Sequence, residues 1–213
     1  MIELLAVIAI IAILISIAIG SIAGARQRAA VTRARGELAT LASALENYKR
    51  LYGDYPQIGP PDFNQANPLT PTSTTTGPGL NSAQAKLFNC LTGVFGPRAF
   101  TTADRINGPN FLDVGRFTVN GTLTTATFLI PTVSSPSSPP IKQEQNAGLL
   151  DPWGRYYLYY YKSAKNPAVW QAAGFLLYSA GPDGAHTAPP NSGVFTAAQL
   201  AVANNADNVF ANP

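Results

Sequence analysis

Charge is scarce in this chain. Of its 213 residues only 12% are Asp, Glu, Lys or Arg, about half the usual share of a globular protein. There is one cysteine, Cys90, which excludes an internal disulfide and any cysteine-based zinc site. There is one histidine, His186, which leaves little room for His-dependent catalysis. Neither a Walker loop nor a nucleophile–base signature is present, so we expect no enzyme. The net charge of +3 is too small an excess to argue for nucleic acid as a partner. Proline, abundant elsewhere with 18 copies, is missing from Met1 to Tyr55. That absence permits a long uninterrupted helix.

Apolar residues are unevenly spread. Twenty of the first 25 are apolar, and Leu4 to Ala25 carries no charge. A run of about 20 apolar residues suffices to cross a bilayer core as a helix. No Lys or Arg precedes the run, and Glu3 stands at its mouth. This favours a retained membrane segment over a cleaved signal peptide, with a buried soluble helix as a third reading. Arg26, Arg28, Arg33 and Arg35 follow directly. Residues 36–213 hold ten cations and ten acids, so the net basic excess sits in this one stripe. Such a stripe suits anionic lipid head groups, or is a solvated helix face. By the positive-inside rule alone it would leave the C-terminal part in the cytoplasm. Ala34, Leu38, Leu41, Leu45, Tyr48 and Tyr52 then recur at steps of three or four, predicting an amphipathic helix that continues to Gly53. A membrane helix and a separate helix hinged at Gly20 or Gly24 is the alternative.

A carboxylate within a transmembrane segment costs roughly 2.5–3.5 kcal/mol and usually has a partner or a function. No cation lies in the apolar run, so Glu3 is left with an amine terminus, its own or a neighbour's, or with a favourable place near a helix N-terminus. Beyond Pro56 the chain becomes loop-like, with Pro/Thr/Gly-rich residues at 56–80 and Ser/Pro-rich residues at 132–140. Between them, 81–94 predicts a short helix with Ala85, Phe88, Cys90 and Leu91 inward. Asn120-Gly121 predicts the turn of a hairpin over 116–130. Asp151-Pro152-Trp153-Gly154 predicts a tight turn with an apolar anchor. Two strands are expected at Arg155–Lys162 and Gly174–Ser179. Their tyrosines read as strand core and rim more readily than as a ligand-stacking platform.

The opening MIELLAVIAIIAIL resembles the N-terminus of type IV pilins and type II secretion pseudopilins. The resemblance implies a basic leader removed by a prepilin peptidase, which is not present in this chain, and methylation of the new N-terminus. It also implies a Glu3 that pairs with the amine of an adjacent subunit as a filament grows. A leader of that kind would hold the N-terminus inside and send the head across the membrane. Gly20 stands where many members carry a proline. The segment Asp151-Pro152-Trp153-Gly154, with Ser179-Ala180-Gly181-Pro182-Asp183-Gly184, is similar to the major pseudopilin of type II secretion systems. In that group the loop after the second strand binds calcium, which makes Asp183, Asp207 and Ser179 the candidate ligands here, with a metal-free Asp-Gly turn as the alternative.

The expectation is therefore an α+β, pilin-like chain: a long N-terminal helix, transmembrane in its first half, packed on a small antiparallel sheet head with long loops. Residues 1–25 form the membrane or filament-core half, 26–54 the amphipathic half and 55–213 the head. The expected function is that of a structural subunit of a helical homo-oligomeric filament. A secretion pseudopilus comes first and a surface type IV pilus second. A membrane-anchored binding module or enzyme comes last. Expected partners are membrane lipids, an inner-membrane assembly platform and the prepilin peptidase. The expected location is the bacterial inner membrane with the head in the periplasm, then the assembled periplasmic or extracellular filament.

Overall fold

The computed structural model describes residues 2–59, 71, 76–96, 100–121, 123 and 142–211, without the side chains of 2, 4–6, 13–23 and 102. Most of the loop expected at 56–80, the second hairpin arm at 124–130 and the stretch 132–140 lie outside the described residues.

Helix α1, Ile2–Tyr52, is unbroken for 51 residues, about 76 Å at 1.5 Å per residue. Glu3 in its first turn and Lys49 and Arg50 in its last both complement the helix dipole. It stops where Gly53 adopts φ +85° and donates its N–H to the Lys49 carbonyl at 2.7 Å, a left-handed exit that glycine makes without steric cost. Gly20 and Gly24 do not interrupt it. Among the described residues no helix is long and apolar enough to cross a membrane; the expected span at 1–25 falls largely on side chains outside the description.

The rest is an α+β head. Helix α2, Ala83–Leu91, begins at Ser82, whose Oγ accepts the Ala85 N–H at 3.1 Å. Strand β1 (Thr118–Asn120) pairs antiparallel with β2 (Gly148–Leu150). Strands β3 (Leu158–Tyr160), β4 (Leu176–Ser179) and β5 (Val209–Phe210) form a second antiparallel sheet in that order. A short helix α3, Ala197–Leu200, lies between β4 and β5. The two strands expected around the tyrosine-rich run are thus present and paired, while β2 and β5 have no counterpart in the sequence reading.

The core lies between α1, α2 and the larger sheet. Ala34, Leu38, Leu41, Leu45 and Tyr48 are buried in one cluster with Phe88, Leu91 and Phe95 from the α2 region and Leu177 from β4. Cys90 is fully buried there, and burial pushes its thiol well above the ordinary range. Because side chains alternate along a strand, the tyrosine run divides. Tyr157, Tyr159 and Tyr161 join the core under α1, while Leu158 and Tyr160 pack with Tyr178 on the opposite face.

The three core-facing tyrosines also carry hydroxyls, and a buried hydroxyl needs a partner. Each finds one on α1 or just past its end. Tyr157 donates to Glu37 Oε2 at 2.5 Å, Tyr159 to the Pro56 carbonyl at 3.0 Å and Tyr161 to Asp54 Oδ1 at 2.7 Å. Asp54 further accepts from Gln57 Nε2 and from Lys162 Nζ, at 2.8 and 2.7 Å. Burial pushes the Asp54 carboxyl up, but the donors Lys162, Tyr161, Gln57 and the Tyr55 N–H outweigh it and hold it below the usual range.

A second polar set holds residues 142–147. The buried Asn89 side chain donates to the Gln145 carbonyl and accepts the Gln145 N–H, each at 2.8 Å. Lys142 extends its ammonium to the Thr92 and Gly108 carbonyls and Asn110 Oδ1. Lys86 pairs with Glu144 beside the Phe95 ring. These contacts fasten 142–147 to α2 and to the 92–110 segment that follows it, without any sheet pairing.

Candidate functional site

Two regions hold the residues that the sequence singles out. The first is the N-terminal part of α1. Glu3 is exposed, and Val7, Ile8, Ile10 and Ile11 are 48–58% exposed. Helices of monomeric proteins usually bury such a face. Of the arginine stripe, Arg33 is taken up within the chain. Its Nε meets Glu37 Oε1 at 2.7 Å and its Nη2 meets Thr118 Oγ1 at 3.2 Å. The Glu37 hydrogen bond and charge raise its pKa. Arg26, Arg28 and Arg35 are exposed, and none has an acid partner among the described residues.

The second region is built on Asp151. Its Oδ1 accepts the N–H groups of Trp153 and Arg155, both at 2.9 Å, and its Oδ2 accepts the Ser179 hydroxyl. Gly154 takes φ +80° and closes the turn with its N–H on the Asp151 carbonyl at 3.0 Å. Pro152 and Trp153 are half-buried, and Trp153 packs on the core. Burial raises the Asp151 carboxyl above the usual range even though Ser179, the two N–H groups and Arg155 pull it down. Arg155 then reaches across to the Gly181 and Pro182 carbonyls at 2.7 and 3.1 Å. The two sequence motifs 151–154 and 179–184 are therefore one structural unit, joined by Ser179 and Arg155. The arginine directly after the motif was the missed signal.

Beyond that unit, the Asp183 N–H donates to Asp207 Oδ2 at 3.2 Å, and Asp183 Oδ1 accepts the Ala185 N–H at 2.7 Å. Asp183 and Asp207 are thus brought together. Ser179 is fully buried; its hydroxyl donates to Asp151 Oδ2 and its oxygen accepts the Gly181 N–H at 3.1 Å. Asp207 Oδ1 and Asn208 Oδ1 are buried with no hydrogen-bond partner. No group of three or more His, Cys, Asp or Glu side chains suited to a metal occurs among the described residues.

His186 rests its Nδ1 3.1 Å from the Tyr178 hydroxyl, and burial lowers its pKa. Neither it nor Cys90 is placed as a nucleophile–base pair. Comparison of the chain with family models, curated proteins and solved structures finds no match.

Proposed function

We propose that this chain is a structural subunit of a type IV pilin-like filament, of the major-pseudopilin kind, that assembles through α1. The observation that carries the reading is the division of one continuous helix. From Ala34 to Tyr48 it buries an apolar stripe in the head, while at Val7–Ile11 it offers aliphatic side chains to something outside the chain. The charge-free run 4–25 would lie in the bacterial inner membrane before assembly and in the filament centre afterwards, with the head in the periplasm. Membrane lipids, an assembly platform and a prepilin peptidase are the partners this reading requires. A single cysteine favours the secretion pseudopilus over surface pilins that close their C-terminal region with a disulfide. Electron microscopy of fractions sheared from host cells tests it. Helical polymers of this chain are expected, and Glu3→Ala should abolish them while leaving the membrane-inserted monomer folded. Polymers unaffected by that substitution would remove the role of Glu3, and monomers alone would remove the filament.

We propose further that the 183–208 loop takes calcium. Calcium seeks six to eight oxygens, and Asp207 Oδ1 and Asn208 Oδ1 are buried oxygens in want of a donor or cation, with the Asp183 carboxylate on the same loop. A bound ion would supply fixed positive charge that holds the loop to β5. Thermal unfolding in calcium against a chelator is the test. An unchanged transition, together with full stability of Asp183→Ala and Asp207→Ala, would reject the site.

A further inference from the structure

The larger sheet ends in a cavity that neither the filament nor the calcium loop uses. Past β3 the chain turns through Lys162 and Asn166 to Val169 and Trp170. The loop after β4 returns to meet it at Pro189, Pro190 and Asn191. Between them, water centres can range over about 70 Å³. That is room for about five waters, the bulk of one six-membered ring with its substituents. The walls are fixed before anything binds. Gln171 and Ala172 donate their N–H groups to the Ser192 carbonyl at 2.8 and 3.3 Å, which ties the two loops together. Gly193, at φ +72°, lies so close to Trp170 that an added Cβ would sit 2.5 Å from the indole. The indole Nε1–H donates to the Gly174 carbonyl at 2.9 Å, and the Tyr161 ring meets it edge-on at 5.8 Å. Even so, Trp170 is only half-buried, and Val169 beside it is 47% exposed.

The polar groups around the cavity select the class of ligand. Lys162, the only charged residue bordering it among those described, is neutralised by Asp54 at 2.7 Å. The Tyr161 hydroxyl is spent on the same acid, and the Trp170 N–H on Gly174. A charged ligand therefore finds no free partner. At the rim stand two exposed amides, Asn166 and Asn191, with no side-chain partner among the described residues. An amide both donates and accepts, as a sugar hydroxyl does. The carbonyls of an extended proline-rich peptide only accept, and the aromatic donors they would need are taken. The C–H face of a sugar ring also suits an indole, whose π face is negative. We infer that this cavity binds one pyranose ring of a neutral carbohydrate. Its C–H face lies against Trp170 and Val169, and its hydroxyls meet Asn166 and Asn191. The cavity borrows nothing from α1 and stands whether or not the chain polymerises.

Fluorescence of the full chain in detergent is the test, because the protein has two tryptophans, Trp153 and Trp170. Trp153→Phe leaves Trp170 as the sole reporter, and Trp170→Phe leaves Trp153. The probes are cellotriose, maltotriose, mannotriose and chitotriose. At least one should shift the Trp170 signal saturably, with a Kd on the order of 1 mM, and leave the Trp153 signal unmoved. Asn166→Ala and Asn191→Ala should each weaken that binding about fivefold. Both side chains are exposed, so the variants should melt as the wild type does, and lost binding is then distinct from lost fold. No shift with any of the four sugars, or an equal shift of both reporters, would overturn the site. So would a saturable shift that the double variant Asn166→Ala/Asn191→Ala leaves intact. Tighter binding of an oligoproline peptide than of every sugar would assign the cavity to a protein ligand and overturn the inference as well.

Discussion

The two ends of α1 are made of similar residues put to opposite use. Around Leu38, Leu41 and Leu45 every aliphatic side chain of the stripe is fully buried, whereas Val7, Ile8, Ile10 and Ile11 are about half exposed. Both are rich in Ala and Leu, though Ile occurs only at the N-terminal end. The difference is spacing: at 34–48 the apolar residues keep to one helical face, and at 4–15 they surround the helix. A one-faced stripe is satisfied by a domain of the same chain. A helix that is apolar all round needs an environment apolar on all sides, such as a bilayer or a bundle of its own copies.

The sharpest way to break this comparison is to truncate one residue at each end. Leu41→Ala should cost about 2–5 kcal/mol by leaving a cavity in the closed core. Ile8→Ala should leave unfolding of the detergent-solubilised monomer within about 0.5 kcal/mol of wild type and weaken assembly instead. Equal losses of monomer stability would show that the N-terminal end is also packed by its own head.

The junction between the ends and the head comes next. Asp54→Ala should cost about 1–3 kcal/mol by orphaning Tyr161, Gln57 and Lys162. Its pH signature has a definite sign. The folded carboxyl titrates below its ordinary value, so its contribution is complete above the unfolded carboxylate range and is lost as pH falls through the folded pKa. Melting from pH 6 down to pH 2.5 should therefore show a step that Asp54→Asn removes.

Asp151 should behave in the opposite sense. Its carboxyl titrates above the ordinary value, so the folded state holds the proton longer, and stability declines as pH rises from the unfolded toward the folded pKa. Asp151→Asn keeps an acceptor for the Trp153 and Arg155 N–H groups and discards the buried charge. It should be milder than Asp151→Ala, which should cost about 1–3 kcal/mol. The smallest effect is expected at His186. Its pKa is lowered by burial, so acidification from pH 7.5 through the ordinary histidine range should destabilise the wild type slightly and His186→Gln not at all.

The parts of the fold that were legible in the sequence are those with enough length to show a period. Helix α1 and its buried stripe, the helix at Ala83–Leu91 and the β3–β4 pair all announced themselves through spacing or turn residues. Strand β5 has two residues and β2 three, too few for alternation to register. The β1–β2 pairing joins Thr118 to Leu150, a choice made by burial of Leu149 and Ala147 rather than by any local turn. The candidate site was half legible. The Asp151 turn was readable because glycine and proline fix its backbone. Ser179, a candidate calcium ligand in the sequence reading, gives its hydroxyl to Asp151 Oδ2, a buried carboxylate oxygen that needs a donor. The hydroxyls of Tyr157, Tyr159 and Tyr161 were unreadable because their partners are 103 to 120 positions away along the chain; Tyr157 reaching Glu37 is the extreme case.

Those tyrosines have a mechanical consequence. Their three hydroxyls attach β3 and the residues on either side of it to α1 and its exit at Glu37, Asp54 and Pro56, and Leu38 to Tyr48 pack between those anchor points. A pull along the helix axis is therefore taken up by all three attachments together, in shear, while a sideways tug on the head loads them one after another, as in peeling tape. The rivet line resists the first direction far better than the second, so the head follows the axial travel of its own helix as cargo on a rod.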